Sequence, residues 1–410
     1  DGFQVGATDI ANGSGDTIYY LALGGTPTPT GSGTYSFNTG TYTGTGTSQA
    51  ITGVGFKPDL VIIKQVGTEN AVFSTSVMAS GNTANLGNTS ADFTGGLDSF
   101  DSDGFTVETN SALNNSGSTY YWQAFGNAYS PLTHSGSTDF LIGAYYGNGL
   151  ADRVLNLLPN SYDFAAIKRR DTSGGVWRTT DMPSGESAVF TNGSFITNAV
   201  TDFGTNTITL GNDSRINNAN SLMWWFAFKE GDRFALGTYT GTGTTQSITN
   251  SPYQADLIWL KGYGNHYSLF KASNLTGDAT QYFSGFTYTT GLITNLLSNG
   301  FTVGTVNEVN QSTTNYYYAS WNGKAYSQVG HRFFDDTSTA DVGSALADED
   351  DPATLTTPGQ QFRVRMLLHV AKGYLYSSGA NFKLQYAAKG VGTCASPTGS
   401  YADVTAITPI

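Results

Sequence analysis

Cysteine is almost absent from this chain: Cys394 is the only one among 410 residues. One thiol cannot close an internal disulfide, so no covalent staple holds the fold. Charge is scarce too. Asp, Glu, Lys and Arg make up 12% of the residues and leave a net charge of −12, about half the usual charged share. The one basic cluster, Lys168-Arg169-Arg170, is too small for the stripe a nucleic-acid partner requires and reads as a solvated strand edge. No run of ~18 apolar residues occurs, so membrane insertion is not expected. His134, His266, His331 and His369 stand too far apart for a local zinc motif. A Gly-x-Ser-x-Gly elbow is missing, and Gly44-Thr45-Gly46-Thr47 lacks the lysine of a phosphate-binding loop. A Ser-His-Asp triad, assembled in space, is not testable by spacing. The chain is therefore not expected to be an enzyme.

What fills the gap is Gly (51 residues) with abundant Thr, Ser and Asn, alongside 24 Tyr, 24 Phe and 6 Trp. The aromatics argue against disorder. Short aromatic and β-branched runs between Gly and Asn clusters point to an all-β protein.

Repetition organises it. Gly40-Thr41-Tyr42-Thr43-Gly44-Thr45-Gly46-Thr47-Ser48-Gln49 returns at Gly237–Gln246 with one change, Ser48 to Thr245. Each copy reads as an opening strand. An apolar run, Leu60-Val61-Ile62-Ile63 or Leu257-Ile258-Trp259-Leu260, follows as a strand buried on both faces. Each ends in what reads as a closing hairpin, Asp103–Val107 with Thr119–Phe125 and Asn299–Gly304 with Asn315–Trp321. A diverged copy opens near Gly143. The period of ~94–103 residues is too long for a solenoid and fits independent β-sandwiches, each expected to bury its own core.

The expected organisation is a closing hairpin of an incomplete module at 1–24, a Thr/Pro/Gly linker at 25–36, modules at 37–128, 138–230 (diverged) and 234–325, and a C-terminal β domain at 329–410. The fold class is all-β: tandem, jelly-roll-like β-sandwich modules plus a different C-terminal β-sandwich. Asp1 is not an initiator, so the chain reads as processed or as beginning within a longer one.

The pattern Gly-x-Tyr-Thr-Gly-x-Gly-Thr, Gly-Phe-x-Pro-Asp-Leu-Val-x-Ile-Lys and Asp-Gly-Phe-x-Val with Tyr-Tyr-Trp-x-Ala-Phe, as it stands in residues 40–125, resembles a repeat of phage tail-fibre-like, virion and surface proteins. Arg332-Phe333-Phe334-Asp335-Asp336 and Phe362-Arg363-Val364-Arg365 resemble a β module of large bacterial surface proteins. The resemblance implies an exterior, non-catalytic, multidomain protein at a cell surface or virion. The incomplete module at residues 1–24 is expected to be completed by upstream sequence or, through strand addition, by a copy of the chain or another assembly subunit.

Candidate sites are few. Tyr145, Tyr146 and Trp177, with Trp224, Trp225 and Tyr316 to Tyr318, are the aromatics proposed to stack on glycans, although core burial competes for at least half of them. Asp98, Asp101 and Asp103 before Gly104, and Asp348 and Asp350 in the acidic loop, offer hard oxygens that make calcium the one cofactor to consider. A solvated acidic turn is the simpler reading of both. Asp59, Asp163 and Asp256 precede each buried strand, and Lys64, Lys168 and Lys261 follow it. A ligand site repeated three times is one reading of them, and turn caps with solvated strand ends is the simpler one. Seven Asn-x-Ser/Thr sequons, Asn114 and Asn310 among them, make glycosylation chemically available. A structural protein of an extracellular fibre, filament or surface layer is the first expectation. A glycan-binding adhesin or receptor-binding fibre is the second, and a polysaccharide-cleaving enzyme with two facing carboxylates the third.

Overall fold

Leu60-Val61-Ile62-Ile63 has no polar alternation because both of its faces are covered. The computed structural model describes residues 35–129, 136–157, 160–231, 233–323, 325–336, 343–351, 353–356, 361–371, 385–386 and 402–403. In it this run lies in β3 (Pro58–Gln65), the middle of a five-stranded antiparallel sheet. The sheet order is β1 (Ser36–Thr43), β8 (Thr119–Gly126), β3, β4 (Val72–Thr75), β5 (Ala84–Asn85). A second sheet, β2 (Gln49–Thr52), β7 (Gly104–Val107) and β6 (Leu97–Asp101), lies over one face. Val61, Ile63, Phe105 and Trp122 pack between the two.

The second and third parts of the chain repeat this plan. One inner sheet runs β14 (Ile196–Thr197), β13 (Glu186–Val189), β12 (Val176–Thr179), β11 (Phe164–Arg169), β17 (Leu222–Phe228), β9 (Phe140–Tyr146), with β10 (Arg153–Asn156), β16 (Thr207–Leu210) and β15 (Val200–Gly204) outside it. The other runs β18 (Phe234–Thr240), β25 (Asn315–Trp321), β20 (Leu257–Gly262), β21 (Leu269–Ala272), β22 (Gln281–Tyr282), with β19 (Gln246–Ile248), β24 (Gly300–Val303) and β23 (Ile293–Leu297) outside it. The protein is thus built of all-β sandwich modules.

The expected closing hairpin is not a hairpin. β7 pairs with β2 and β6, whereas β8 pairs with β1 and β3 in the other sheet. The residues between them cross from sheet to sheet through a single helical turn, α1 (Ser111–Asn114), capped by the Asn110 side chain on the Ala112 amide. Its Asn and Ser residues, which read as a β-turn, form a helix cap and a crossover instead. The second module repeats the crossing with α2 (Ser214–Asn217), capped by Asp213, and the third with α3 (Asn307–Asn310). The lone hairpin expected at 1–24, with its strand-addition edge, lies outside the described residues.

Each sandwich has its own core, and a further cluster of buried apolar side chains is shared by all three. Leu60 and Ile62 of β3 face away from Val61 and Ile63, as strand alternation requires. They join Phe164, Trp177, Phe228, Trp259 and Trp321 from the other two modules. At its centre the equivalent residues of the three closing strands meet. Phe125 lies 5.0 Å from Phe228, Phe228 lies 5.4 Å from Trp321, and Trp321 lies 5.9 Å from Phe125. The modules are therefore arranged around a pseudo-threefold axis rather than strung out in a line. Tyr35, at the end of the expected linker, is 2% exposed and packs against Phe228 and Phe140. Its hydroxyl donates to the Arg233 carbonyl.

After the third module, β26 (Ala325–Asp335) and β27 (Phe362–Ala371) form an antiparallel ribbon. Most of the expected C-terminal sandwich lies outside the described residues, as does Cys394.

Candidate functional site

Three lysines close the ring. Lys64, Lys168 and Lys261 each end the central strand of an inner sheet and are 0%, 1% and 0% exposed, so the reading of them as solvated strand ends is corrected. A buried ammonium has three donors to satisfy. Lys64 Nζ donates to the carbonyls of Gln65 (2.8 Å) and Gly67 (2.9 Å), and across the seam to Phe286 of the third module (3.0 Å). Lys168 Nζ reaches Arg169 and Asp171, and across to Ser90 of the first module (3.2 Å). Lys261 Nζ binds the His266 carbonyl and reaches Gly193 (3.0 Å) and Thr191 (3.3 Å) of the second. First to third, second to first, third to second: the contacts form a closed cycle. Burial lowers the lysine pKa values to about 8, 8 and 7, against the pull of nearby carboxylates such as Glu69, Asp92 and Glu308. The preceding aspartates cap the turn as expected. Asp59 accepts from the Ala128 amide and Ser76 hydroxyl, Asp256 from the Gly323 amide and Ser273 hydroxyl, and Asp163 from the Glu230 amide.

The repeated Gly-Thr stretch has a structural task. Asn114, Asn217 and Asn310 end the helical turns and are fully buried. Asn310 Oδ1 accepts from the Thr242 amide (2.8 Å), and its Nδ2 donates to the carbonyls of Thr244 (2.5 Å) and Gly304 (2.8 Å). Asn114 and Asn217 do the same for the loops at Thr45–Thr47 and Asn148–Leu150. The loop must curl around the amide, which places Gly46, Gly149 and Gly243 at φ near +75° (78°, 72° and 76°). Two of the sequons are thereby sealed inside the fold. The opening glycines Gly40, Gly143 and Gly237 pair across strands with Trp122, Trp225 and Tyr318, and a side chain there would overlap those rings.

The predicted site residues scatter. Trp177 is 0% exposed in the shared core, and its indole donates to Ser268 Oγ of the third module (3.0 Å). Tyr145 is buried and donates to the Ile216 carbonyl (2.6 Å). Both are core: Tyr145 alternates with its exposed neighbour, and Trp177 lies in a strand buried along its whole length. Tyr146, the next residue, is 63% exposed. Asp101 accepts from Ser99 and Thr106, Asp103 from the amides of Gly53 and Gly55, and Asp98 from Ser80. Asp350 accepts from the His331 amide, and Asp348 lies 3.5 Å from Arg332. Among the described residues no group of three or more His, Cys, Asp or Glu side chains is placed to hold a metal ion.

The three seams are not alike. At the second-to-third seam, Phe195 packs 5.1 Å from Tyr263 and 5.5 Å from Tyr317, and rings fill the junction. Tyr317 stands opposite Lys261 as Trp224 stands opposite Lys168. Tyr263 follows Lys261 at the place that Arg170 holds after Lys168. At the first-to-second seam there is instead a groove of about 660 Å³, with Arg170 in its lining. Asn82, Asp92 and Thr94 come from the first module, and Tyr146, Arg170 and Asn220 from the second. Trp224 Nε1 donates to Asp92 Oδ2 (2.6 Å), while Asp92 Oδ1 is closed to solvent without a partner. Burial raises the Asp92 pKa to about 6, against the Trp224 hydrogen bond and the charges of Lys168 and Arg170. No motif marks this groove. The one signal available was the exception to the repeat: Tyr146 occupies the position of Thr43 and Thr240.

A family model described as a domain of unknown function (DUF7483) matches residues 32–234 and again 229–339. The curated proteins contain no match to the sequence.

Proposed function

Because the chain belongs to the DUF7483 family, whose description gives no function, its role rests on its own geometry, and we propose a non-catalytic structural protein of an extracellular fibre, filament or surface layer. One observation carries this reading: three sandwiches close on one another through a cycle of buried lysine contacts and a common aromatic core. Such a body resists opening, and its conserved-in-repeat polar groups serve strand ends, loops and seams rather than a reaction centre. The likeness of residues 40–125 to tail-fibre and surface repeats supports an exterior location, as does a composition poor in cysteine and charge and rich in Gly, Thr, Ser and Asn. Immunogold electron microscopy of the source particle or cell tests the proposal. The expected result is label on a repeating exterior structure. Label confined to the interior, or a soluble monomer that cleaves polysaccharide, would overturn it.

A further inference from the structure

We infer that the groove between the first and second modules is a saccharide-binding site, an activity beyond the structural role above. Its chemistry is what a pyranose chain requires. Tyr146 offers an exposed ring for the apolar C–H face of a sugar, and such a ring beside a few oriented polar groups is the usual make-up of a ligand site. The Arg170 guanidinium is exposed and makes no hydrogen bond among the described residues. Its planar fork suits a pair of adjacent hydroxyls or a uronate carboxylate. The side-chain amides of Asn82 and Asn220 are likewise uncommitted among the described residues, so each offers both a donor and an acceptor. Asn220 is held at φ 61°, a conformation an asparagine adopts more readily than most residues. The Trp224–Asp92 hydrogen bond ties the two walls together across the seam.

Other ligand classes fit less well. An apolar ligand would strand these polar groups without partners. A phosphate chain has no apolar face for the Tyr146 ring and would leave the amides of Asn82 and Asn220 with fewer groups to donate to them. The asymmetry of the molecule supports selection at this place. The third module carries tyrosine at the Arg170 position, threonine at the Tyr146 position, and rings that fill its seam.

The test uses the full chain with cellohexaose, chitohexaose and hexagalacturonate as probes, followed by calorimetry and Trp224 fluorescence. Binding of at least one probe is expected, with at least ~10-fold weaker affinity in Tyr146→Thr and in Arg170→Gln. Tyr288→Thr, at an exposed ring of the third module that does not line the groove, should leave affinity within about twofold. A preference for hexagalacturonate that disappears in Arg170→Gln assigns the guanidinium to a carboxylate, and equal loss for all probes assigns it to hydroxyl pairs. Either supports the site. No binding to any of the three probes, or affinities unchanged in both groove variants while their melting temperatures match the parent chain, overturns it.

Discussion

The first and third modules share their internal wiring almost atom for atom, while the second keeps only part of it. Tyr42 stacks on Tyr120 at 5.0 Å and 10°, and Tyr239 on Tyr316 at the same distance and angle. Tyr120 and Tyr316 each donate to the first carbonyl of the helical turn and accept from the amide just after it. The second module has Met223 in their place, and that pair of bonds is lost. It nevertheless keeps Gly143 under a tryptophan, Asn217 inside its loop and Lys168 across its seam. What survives divergence is what the closed ring needs: a loop anchor, a tight strand pair and a seam cation. What was released is an internal aromatic pair and the filling of one seam.

The largest expected effect tests the shared core against the separate ones. Phe228→Ala empties the centre of the pseudo-threefold axis and should cost about 3–5 kcal/mol. Calorimetry of residues 35–323 within the full chain should show all three modules melting in one transition that moves as a unit. Three separately melting modules, with only one displaced, would break the picture of a common core.

Next is the loop anchor. Asn310→Leu strands the Thr242 amide and the carbonyls of Thr244 and Gly304, at a cost of about 3 kcal/mol. Asn217→Leu should cost a similar amount despite the divergence of its module. Urea midpoints that differ widely between the two would show that the anchor is not equivalent.

The seam cations give a pH signature. Lys64, Lys168 and Lys261 are depressed to about 8, 8 and 7 in the folded chain, and an unfolded lysine titrates near 10.4. Between those limits the unfolded state holds more protons, so stability rises with pH from about 7 toward 10. It is lost again as pH falls through the folded values. Above about 10 the trend reverses, because burial raises the pKa of Tyr145 and Tyr239 while unfolded tyrosines ionise. Thermal melts across this range should show the rise, and Lys261→Met should flatten its lower part. A profile level from pH 7 to 10 would contradict the burial of these charges.

The smallest effect belongs to the groove. Tyr146→Thr restores the residue of the other modules at an exposed site and should change stability by no more than ~0.5 kcal/mol. A larger loss, read from the urea midpoint, would make Tyr146 part of the fold rather than of a binding surface.

Much of the fold was legible because it is written locally. Alternation marks the strands, the unalternating Leu60–Ile63 run announces two covered faces, and the repeated Gly-Thr stretch aligns the modules. What covers the second face was not legible. Contacts such as Tyr35 with Arg233 span 198 positions, and nothing local distinguishes a strand covered by its own module from one covered by another. The lysines misled for the same reason, since their acceptors are backbone carbonyls of a distant loop, which have no sequence signature. The burial of Asn114 has no sequence signature either, because a buried asparagine and a turn asparagine are spelled alike. Of the site, Tyr146 was named from its aromatic character alone, while Arg170 and Asp92 entered only when the seam brought them together.

Joining the three sandwiches in one polypeptide changes what the assembly is free to become. The second module follows the first through residues 127–139, and the third follows the second through residues 229–233. Tethers this short hold the partners at effective concentrations on the order of millimolar or more, so the trio stays together at any dilution. A body made of three identical subunits must carry every surface change in triplicate, and a mutation helpful at one junction would be imposed on the other two. Here each junction is encoded separately, so two can be sealed for strength while the third varies without loosening them.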